Sequence, residues 1–221
     1  MIRAERLVKR YPGGHEALAG VTFHVERGEM TFVTGHSGAG KSTLLRLIAG
    51  LERPTRGTLL VDGKNMATLP RRQLPRLRRR MGIVLQDPHL LYDRSVFDNV
   101  ALPLAIAGMR PREIAGRVRA ALDKLGLLDK EHLNPRVLSG GEQQRVGIAR
   151  AVVGKPELIL ADEPTGNLDP DLAREIMDLF RAFNEVGTTV LIATHDIYLI
   201  ERLPYRRLVL ERGTLRRSAA A

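Results

Sequence analysis

The chain has 221 residues and a formal net charge of +10, long enough for one full hydrophobic core with an appended subdomain. It contains no cysteine, which excludes a disulfide framework and any cysteine-ligated metal site. The opening MIRAERLVKRY lacks the apolar stretch of a signal peptide, and runs such as VALPLAIAG are too short to span a bilayer, so a soluble protein is expected.

Strand-like runs come first. IRAERLVKRY, a Pro-Gly-Gly turn at Pro12 to Gly14, and EALAGVTFHVERGE predict a small antiparallel sheet. The apolar MTFVT (Met30 to Thr34) then leads into GHSGAGKST, residues 35 to 43, and the helix-like LLRLIAG follows. Strand, glycine loop and helix in this order predict a phosphate-binding loop made of Gly35, His36, Ser37, Gly38, Ala39, Gly40, Lys41, Ser42 and Thr43. Its three glycines let successive N–H groups converge on one anion, and the helix beginning near Lys41 adds unpaired donors and its positive dipole end. Lys41 is expected to reach the β- and γ-phosphates of a nucleotide, and Ser42 to offer its hydroxyl to Mg²⁺. No physical reason for histidine at position 36 is visible.

GTLLVDG predicts a further strand, an arginine-rich run follows, and MGIVLQ reads as a buried strand. Two apolar helices come next; the clearer, after Pro111, carries Ile114, Val118, Ala121, Leu122 and Leu125 on one stripe. LSGGEQQR, residues 138 to 145, satisfies a capping box through Ser139 and Glu142. A cap does not account for the adjacent Gly140 and Gly141, which allow an anion to approach the backbone closely. The chain thus offers two phosphate-binding helix N-termini, only one of which carries a lysine. Either there are two ligands, or two chains share one.

LILADEP, residues 158 to 164, ends an apolar strand in two acids. Buried carboxylates need a cation or a task. Asp162 is assigned to Mg²⁺, and Glu163 is the base that polarises an attacking water. A helix over roughly residues 170 to 186, the strand TTVLIAT and a final hairpin-like YRRLVLERGTLRR complete the chain. A parallel α/β core interrupted by a helical insert is the simplest arrangement.

GHSGAGKST, Gln86, LSGGEQQR, LILADE, the stretch from Gly166 to Asp169, and His195, in that order, resemble the full motif set of an ATP-binding cassette ATPase. The resemblance runs nearly end to end. It implies a single P-loop NTPase domain over 1–221 with a RecA-like parallel-sheet core: residues 1–86 and 151–221 for the core and its antiparallel β-subdomain, and 87–150 for a helical subdomain carrying the signature LSGGEQQR. It also implies that the signature of one copy (Ser139, Gly140, Gly141, Glu142) closes over ATP held by the phosphate loop of another, giving an ATP-bound homodimer. By the same resemblance Tyr11 stacks on adenine, Gln86 senses water and Mg²⁺, Asp169 lies at the dimer interface, and His195 contacts the γ-phosphate. Catalysis would then rest on Glu163, His195, Lys41 and Gln86, and the metal on Ser42, Gln86 and Asp162.

YPGGHEAL, His36, QDPHLLYDRSVFDNV and LSGGEQQRVGIARAVV are similar to the cell-division branch of that family. This implies an integral membrane partner, peripheral attachment to the inner face of the cell membrane at the division site, and indirect control of peptidoglycan hydrolases outside the membrane. The lipoprotein-release and macrolide-export branches share most of these runs and give the alternative reading. No nucleic-acid partner is expected, because the chain has neither a long coiled coil nor a second cassette. The surface facing the membrane partner is expected in the insert after Gln86, including Leu90, Leu91 and Tyr92, with burial of these residues in the insert's own core as the equal alternative.

The positive charge is local. Arg71, Arg72, Arg76, Arg78, Arg79 and Arg80 form one run; Arg202, Arg206, Arg207, Arg212, Arg216 and Arg217 form another; elsewhere basic and acidic residues nearly balance. Both runs read as solvated arginines on a helix face and a terminal hairpin, with anionic lipid or an acidic partner as the other possibility.

Overall fold

The computed structural model describes residues 1–166, 168–201 and 203–216. Asn167 within the stretch from Gly166 to Asp169, and Arg202 and Arg217 of the second arginine run, lie outside the described residues.

Two sheets organise the chain. β1 (Ile2–Arg10), β2 (Glu16–Val25), β4 (Arg56–Val61) and β5 (Lys64–Asn65) form an antiparallel sheet in the order β2-β1-β4-β5. β3 (Met30–Thr34), β6 (Met81–Val84), β7 (Leu158–Asp162), β8 (Thr189–Ala193), β9 (Arg206–Glu211) and β10 (Thr214–Arg216) form a second sheet in the order β10-β9-β3-β8-β7-β6. Within it β9, β3, β8, β7 and β6 pair in parallel, and β10 alone runs antiparallel. GTLLVDG, expected only as a strand, is β4 and its turn, and it closes the antiparallel sheet against β1.

Every residue of β3 and β8 is buried, the pattern of parallel strands covered on both faces. The period of two sends alternate side chains to opposite sides. Phe32, Ile159, Ala161, Val190 and Ile192 join one core, whereas Val33, Leu158, Leu160, Leu191 and Ala193 join the other. The second core is filled by α1 (Lys41–Ile48) and the inner face of the antiparallel sheet.

The first core is shared with α3 (Val96–Ile106), α4 (Pro111–Lys124), α5 (Gly140–Val152) and α6 (Pro170–Glu185). The predicted stripe on α4 is seen: Ile114, Val118 and Leu122 are buried, as is Leu125 just beyond, with Ala121 half-buried. α6 buries Ala173, Ile176, Met177 and Phe180, an amphipathic spacing. A short α2 (Leu74–Arg78) precedes β6, and α7 (Ile197–Ile200) follows β8.

Several arginines differ from the solvated reading. Arg78 donates to the carbonyls of Ala49 (3.0 Å) and Gly50 (2.7 Å), finishing the C-terminus of α1. Arg80 pairs with both Asp62 and Glu157. Arg206 donates to the His24 carbonyl at 2.8 Å, and Arg207 to those of Ile200 and Glu201, each at 2.8 Å. The Arg78, Arg206 and Arg207 guanidiniums thus serve as donors to main-chain carbonyls. Arg71, Arg72, Arg76 and Arg79 are exposed as expected.

Candidate functional site

The carboxyl ends of β3, β6, β7 and β8 lie along one rim of the central sheet, where parallel α/β sheets place their ligands. Each end delivers one predicted motif: Gly35 to Thr43 after β3, Gln86 after β6, Asp162 and Glu163 at β7, and His195 after β8. A cavity of about 820 Å³ opens there. Tyr11, every residue from Gly35 to Thr43, Gln86, Glu163 and His195 line it.

The loop is shaped by close backbone approach. Gly35 has φ 147°, and a Cβ there would fall 2.2 Å from the Leu210 carbonyl oxygen; Gly40, at φ 106°, would meet the Ala17 carbonyl oxygen at 2.5 Å. Any side chain at either position would push the loop off its neighbours. Gly40 is also the N-cap of α1, and no side chain caps that helix. Its first N–H groups are therefore left for a ligand. Lys41 is buried and donates to the carbonyls of Gly35 (2.7 Å) and His36 (3.4 Å), with its ammonium 3.5 Å from Glu163. The His36 side chain is exposed on the cavity wall.

Glu163 occupies the left-handed region at φ 48°, which costs a non-glycine residue about 1 kcal/mol or more. Its neighbours over-determine that conformation. The Glu163 N–H donates to the Ala193 carbonyl at 2.8 Å, and its carboxylate accepts the His195 N–H at 3.2 Å while lying 2.9 Å from His195 Nδ1. The carboxylate is thus held at the end of β7 by groups from the end of β8.

Asp162 is half-buried, and its Oδ1 has no hydrogen-bond partner. Burial pushes its carboxyl above the ordinary aspartate range, against the pull of the Ser42 hydroxyl, and the neighbouring Glu163 charge pushes the same way. An orphaned carboxylate oxygen beside Ser42 suits a cation completed by other ligands. Among the described residues no group of three or more His, Asp or Glu could hold a metal alone.

Tyr11 donates its hydroxyl to Glu52 at 2.8 Å and lies 3.3 Å from the Thr43 hydroxyl. The His15 ring stands parallel to it, with centroids 6.5 Å apart. His15 is not among the residues the sequence predicts for the site, and neither are Val209, Leu210, Glu211 and Arg216, which read in sequence only as part of the terminal hairpin and its arginine run and which build the far wall. No local motif marks them. They arrive because β9 pairs with β3, some 175 residues earlier in the chain.

Ser139, Gly140, Gly141, Glu142 and Asp169 are not on this cavity wall. Ser139 caps α5 through the predicted capping box: its hydroxyl accepts the Glu142 N–H at 3.3 Å, and the Glu142 carboxylate accepts the Ser139 N–H at 2.8 Å. Lys130 pairs with Glu142 and, with the Ser139 N–H, holds its carboxyl down at about 2. Asp169 has a local task that the sequence reading did not give it. As N-cap of α6 it accepts the N–H groups of Asp171 (3.1 Å) and Leu172 (3.0 Å). The two readings of the run at Leu90 divide between its residues: Leu91 and Tyr92 are each 39% exposed, whereas Leu90 is 5% exposed and sits in the core shared with α3.

Residues 18–166 match the family model described as ABC transporter. The chain belongs to the ABC transporter family. It is an ABC-type ATPase and binds ATP. The chain is 60% identical over 215 residues to the cell division ATP-binding protein FtsE of Escherichia coli K12, covering 97% of each chain. It is 43% identical to FtsE of Bacillus subtilis, over 97% of this chain and 94% of that one. The dimeric structure of MJ0796, a bacterial ABC transporter cassette, superposes with TM-score 0.94 at 35% identity, covering 100% of this chain and 98% of the other. The dimeric post-hydrolysis state of MJ0796 bound to ADP and Pi gives TM-score 0.93 at 34% identity, with the same coverage. The cassette fold, with its parallel core, antiparallel β-sheet and helical insert, is therefore that of this ATPase family.

Proposed function

We propose that this chain is the ATP-hydrolysing subunit of an FtsE-FtsX-type complex in bacterial cell division, working as an ATP-driven clamp on a membrane partner. The observation that carries the proposal is the 60% identity to FtsE along 97% of both chains, beside a cavity that collects the catalytic motifs on one rim. No helix among the described residues is long and apolar enough to cross a membrane, so attachment falls to the partner. The protein works on the inner face of the cell membrane at the division site, and its cycle signals through an FtsX-type subunit to regulate peptidoglycan hydrolysis.

ATP phosphates lie against the N–H groups of Gly38 to Ser42, with Lys41 released from the Gly35 and His36 carbonyls to the β- and γ-oxygens. Tyr11 stacks on the base. Ser42 and Asp162, with Gln86, hold Mg²⁺, which supplies charge neutralisation to the phosphates when bound. Glu163 accepts hydrogen bonding from the attacking water and draws off its proton, and His195 holds Glu163 in place and contacts the γ-phosphate. Ser139, Gly140, Gly141 and Glu142 of a second copy close the site, with Asp169 at the seam, so hydrolysis removes the contact that holds two copies together. The dimers of MJ0796 support this arrangement.

Tagging the chain in its own cells, solubilising the membranes and identifying the co-purifying integral protein tests the assignment. An FtsX-type subunit is expected, and its deletion should disperse the ATPase from the division site. Recovery of a lipoprotein-release or macrolide-export subunit instead would overturn the cell-division role while leaving the ATPase chemistry untouched.

A further inference from the structure

α5 starts at the Ser139 cap, yet its buried face belongs to the nucleotide site's supports. Gln144, Gly147 and Arg150 recur every three residues and share one side of the helix. Gln144 is 3% exposed. Its amide nitrogen donates to the carbonyl of Leu85 at 3.2 Å and to that of Pro164 at 3.4 Å, so one Nε2 uses both of its hydrogens on two separate strand ends. Leu85 immediately precedes Gln86, and Pro164 immediately follows Glu163. One turn on, a Cβ at Gly147 would lie 2.7 Å from Cβ of Pro88, so the helix rides directly on that proline. Arg150 donates to the carbonyls of Pro88 and, at 3.2 Å, of His89, a residue held at φ 45°.

We propose that Gln144 is a positioning residue: it fastens the helix that begins at Ser139 to the two segments holding Gln86 and Glu163, so that a shift of α5 moves both. The inference rests on Gln86 and Glu163 serving hydrolysis as stated above. A single side chain bridging two carbonyls carries displacement because Gln144 is itself buried and its bond to the Pro164 carbonyl is buried with it, so losing the amide there leaves a desolvated acceptor unpaired. Gly147 and Arg150 secure the same helix to residues 88 and 89, and Gln144 is the member of this row whose hydrogen bonds also reach the Glu163 side. Gln144 itself does not line the cavity, so its loss leaves the surfaces that meet ATP in place.

Steady-state ATP hydrolysis by the full chain with Mg·ATP tests this. Gln144→Leu, of similar volume, should lower kcat about tenfold and leave KM within about twofold, the split of a defect confined to the transition state. Wild-type kcat, or a fall in kcat that only tracks the folded fraction seen in thermal melts, overturns the inference. Glu163→Gln run alongside separates the two levels. If Glu163→Gln hydrolyses ATP normally, the reading of the site fails; if it is inactive while Gln144→Leu is normal, only the Gln144 link fails. Hydrogen exchange on the wild-type chain needs no variant to fold. Replacing Mg·ADP by a non-hydrolysable ATP analogue should change protection at the start of α5, at residues 85–90 and at residues 164–166 together, and a change at α5 with the other two unmoved overturns the link.

Discussion

Two helices of this chain begin at glycine-bearing sequences, and they solve the problem of their free N–H groups in opposite ways. α1 begins at Gly40 with no side-chain cap and with a buried lysine folded back on the loop's own carbonyls. α5 begins at Ser139 with a complete capping box whose glutamate is further paired to Lys130. The first end is left open for an anion that the same chain can hold. The second has its Ser139 and Glu142 N–H groups satisfied within its own chain, so a phosphate there meets the Gly140 and Gly141 N–H groups but competes with Glu142 for the Ser139 hydroxyl. Among the described residues the cavity opens at the α1 end, and the α5 start does not line it; in the function proposed above, the α5 end is the half that closes over a site held by another copy.

The largest effect expected from breaking the contrast is at Lys41. Lys41→Ala removes the ammonium at the open end, and the loss of a charge-assisted contact to phosphate, about 1.5–3 kcal/mol, should weaken ATP binding about 10- to 100-fold. Equilibrium titration with a fluorescent ATP analogue measures this; unchanged affinity would mean that the loop amides hold the nucleotide without it.

Asp162→Asn should act in two directions. The Asp162 carboxyl is raised above its ordinary value by burial, so the folded state takes up its proton more readily than the unfolded state. Its contribution to stability is therefore greatest below the unfolded value and is lost as pH rises through the folded one. At pH 7 without Mg²⁺, Asp162→Asn should raise the melting temperature, by about 1 kcal/mol in stability, and the gain should vanish below pH 4. With Mg·ATP the order should reverse, because the wild type gains a ligand-bound state that the variant lacks. A variant no more stable than wild type in the metal-free protein would show that Oδ1 is satisfied after all.

What could be read from the sequence follows the same division between local and long-range. The loop at Gly35, the acids after β7 and the Ser139–Glu142 box are each written within a few residues, because a turn, a strand end or a cap is a local event. The hairpin wall at Val209 to Glu211 is set by strand pairing across most of the chain, which no window of sequence records. Gln144 was in view as part of LSGGEQQR, but a glutamine bridging Leu85 and Pro164 has no pattern of its own. The arginine runs misled for a related reason: charge looks like surface until the carbonyls of Ala49, His24 and Ile200 are placed beside Arg78, Arg206 and Arg207.

The smallest effect tests the self-satisfied end. Glutamine can serve the capping box as well as glutamate, so Glu142→Gln keeps the helix start and removes only the charge facing Lys130. The Glu142 carboxyl is lowered to about 2 from an ordinary value of 4.5, so its contribution is present above the unfolded value and is lost as pH falls toward about 2. Wild type should exceed Glu142→Gln by less than about 1 kcal/mol at pH 7, and the two should converge as the solution is acidified through that window. Thermal melts at pH 7, 4 and 3 measure the gap. A gap that stays constant across them would mean that Lys130 does not stabilise the ionised carboxylate, and the α5 end would then be held closed by the Ser139 hydrogen bonds alone.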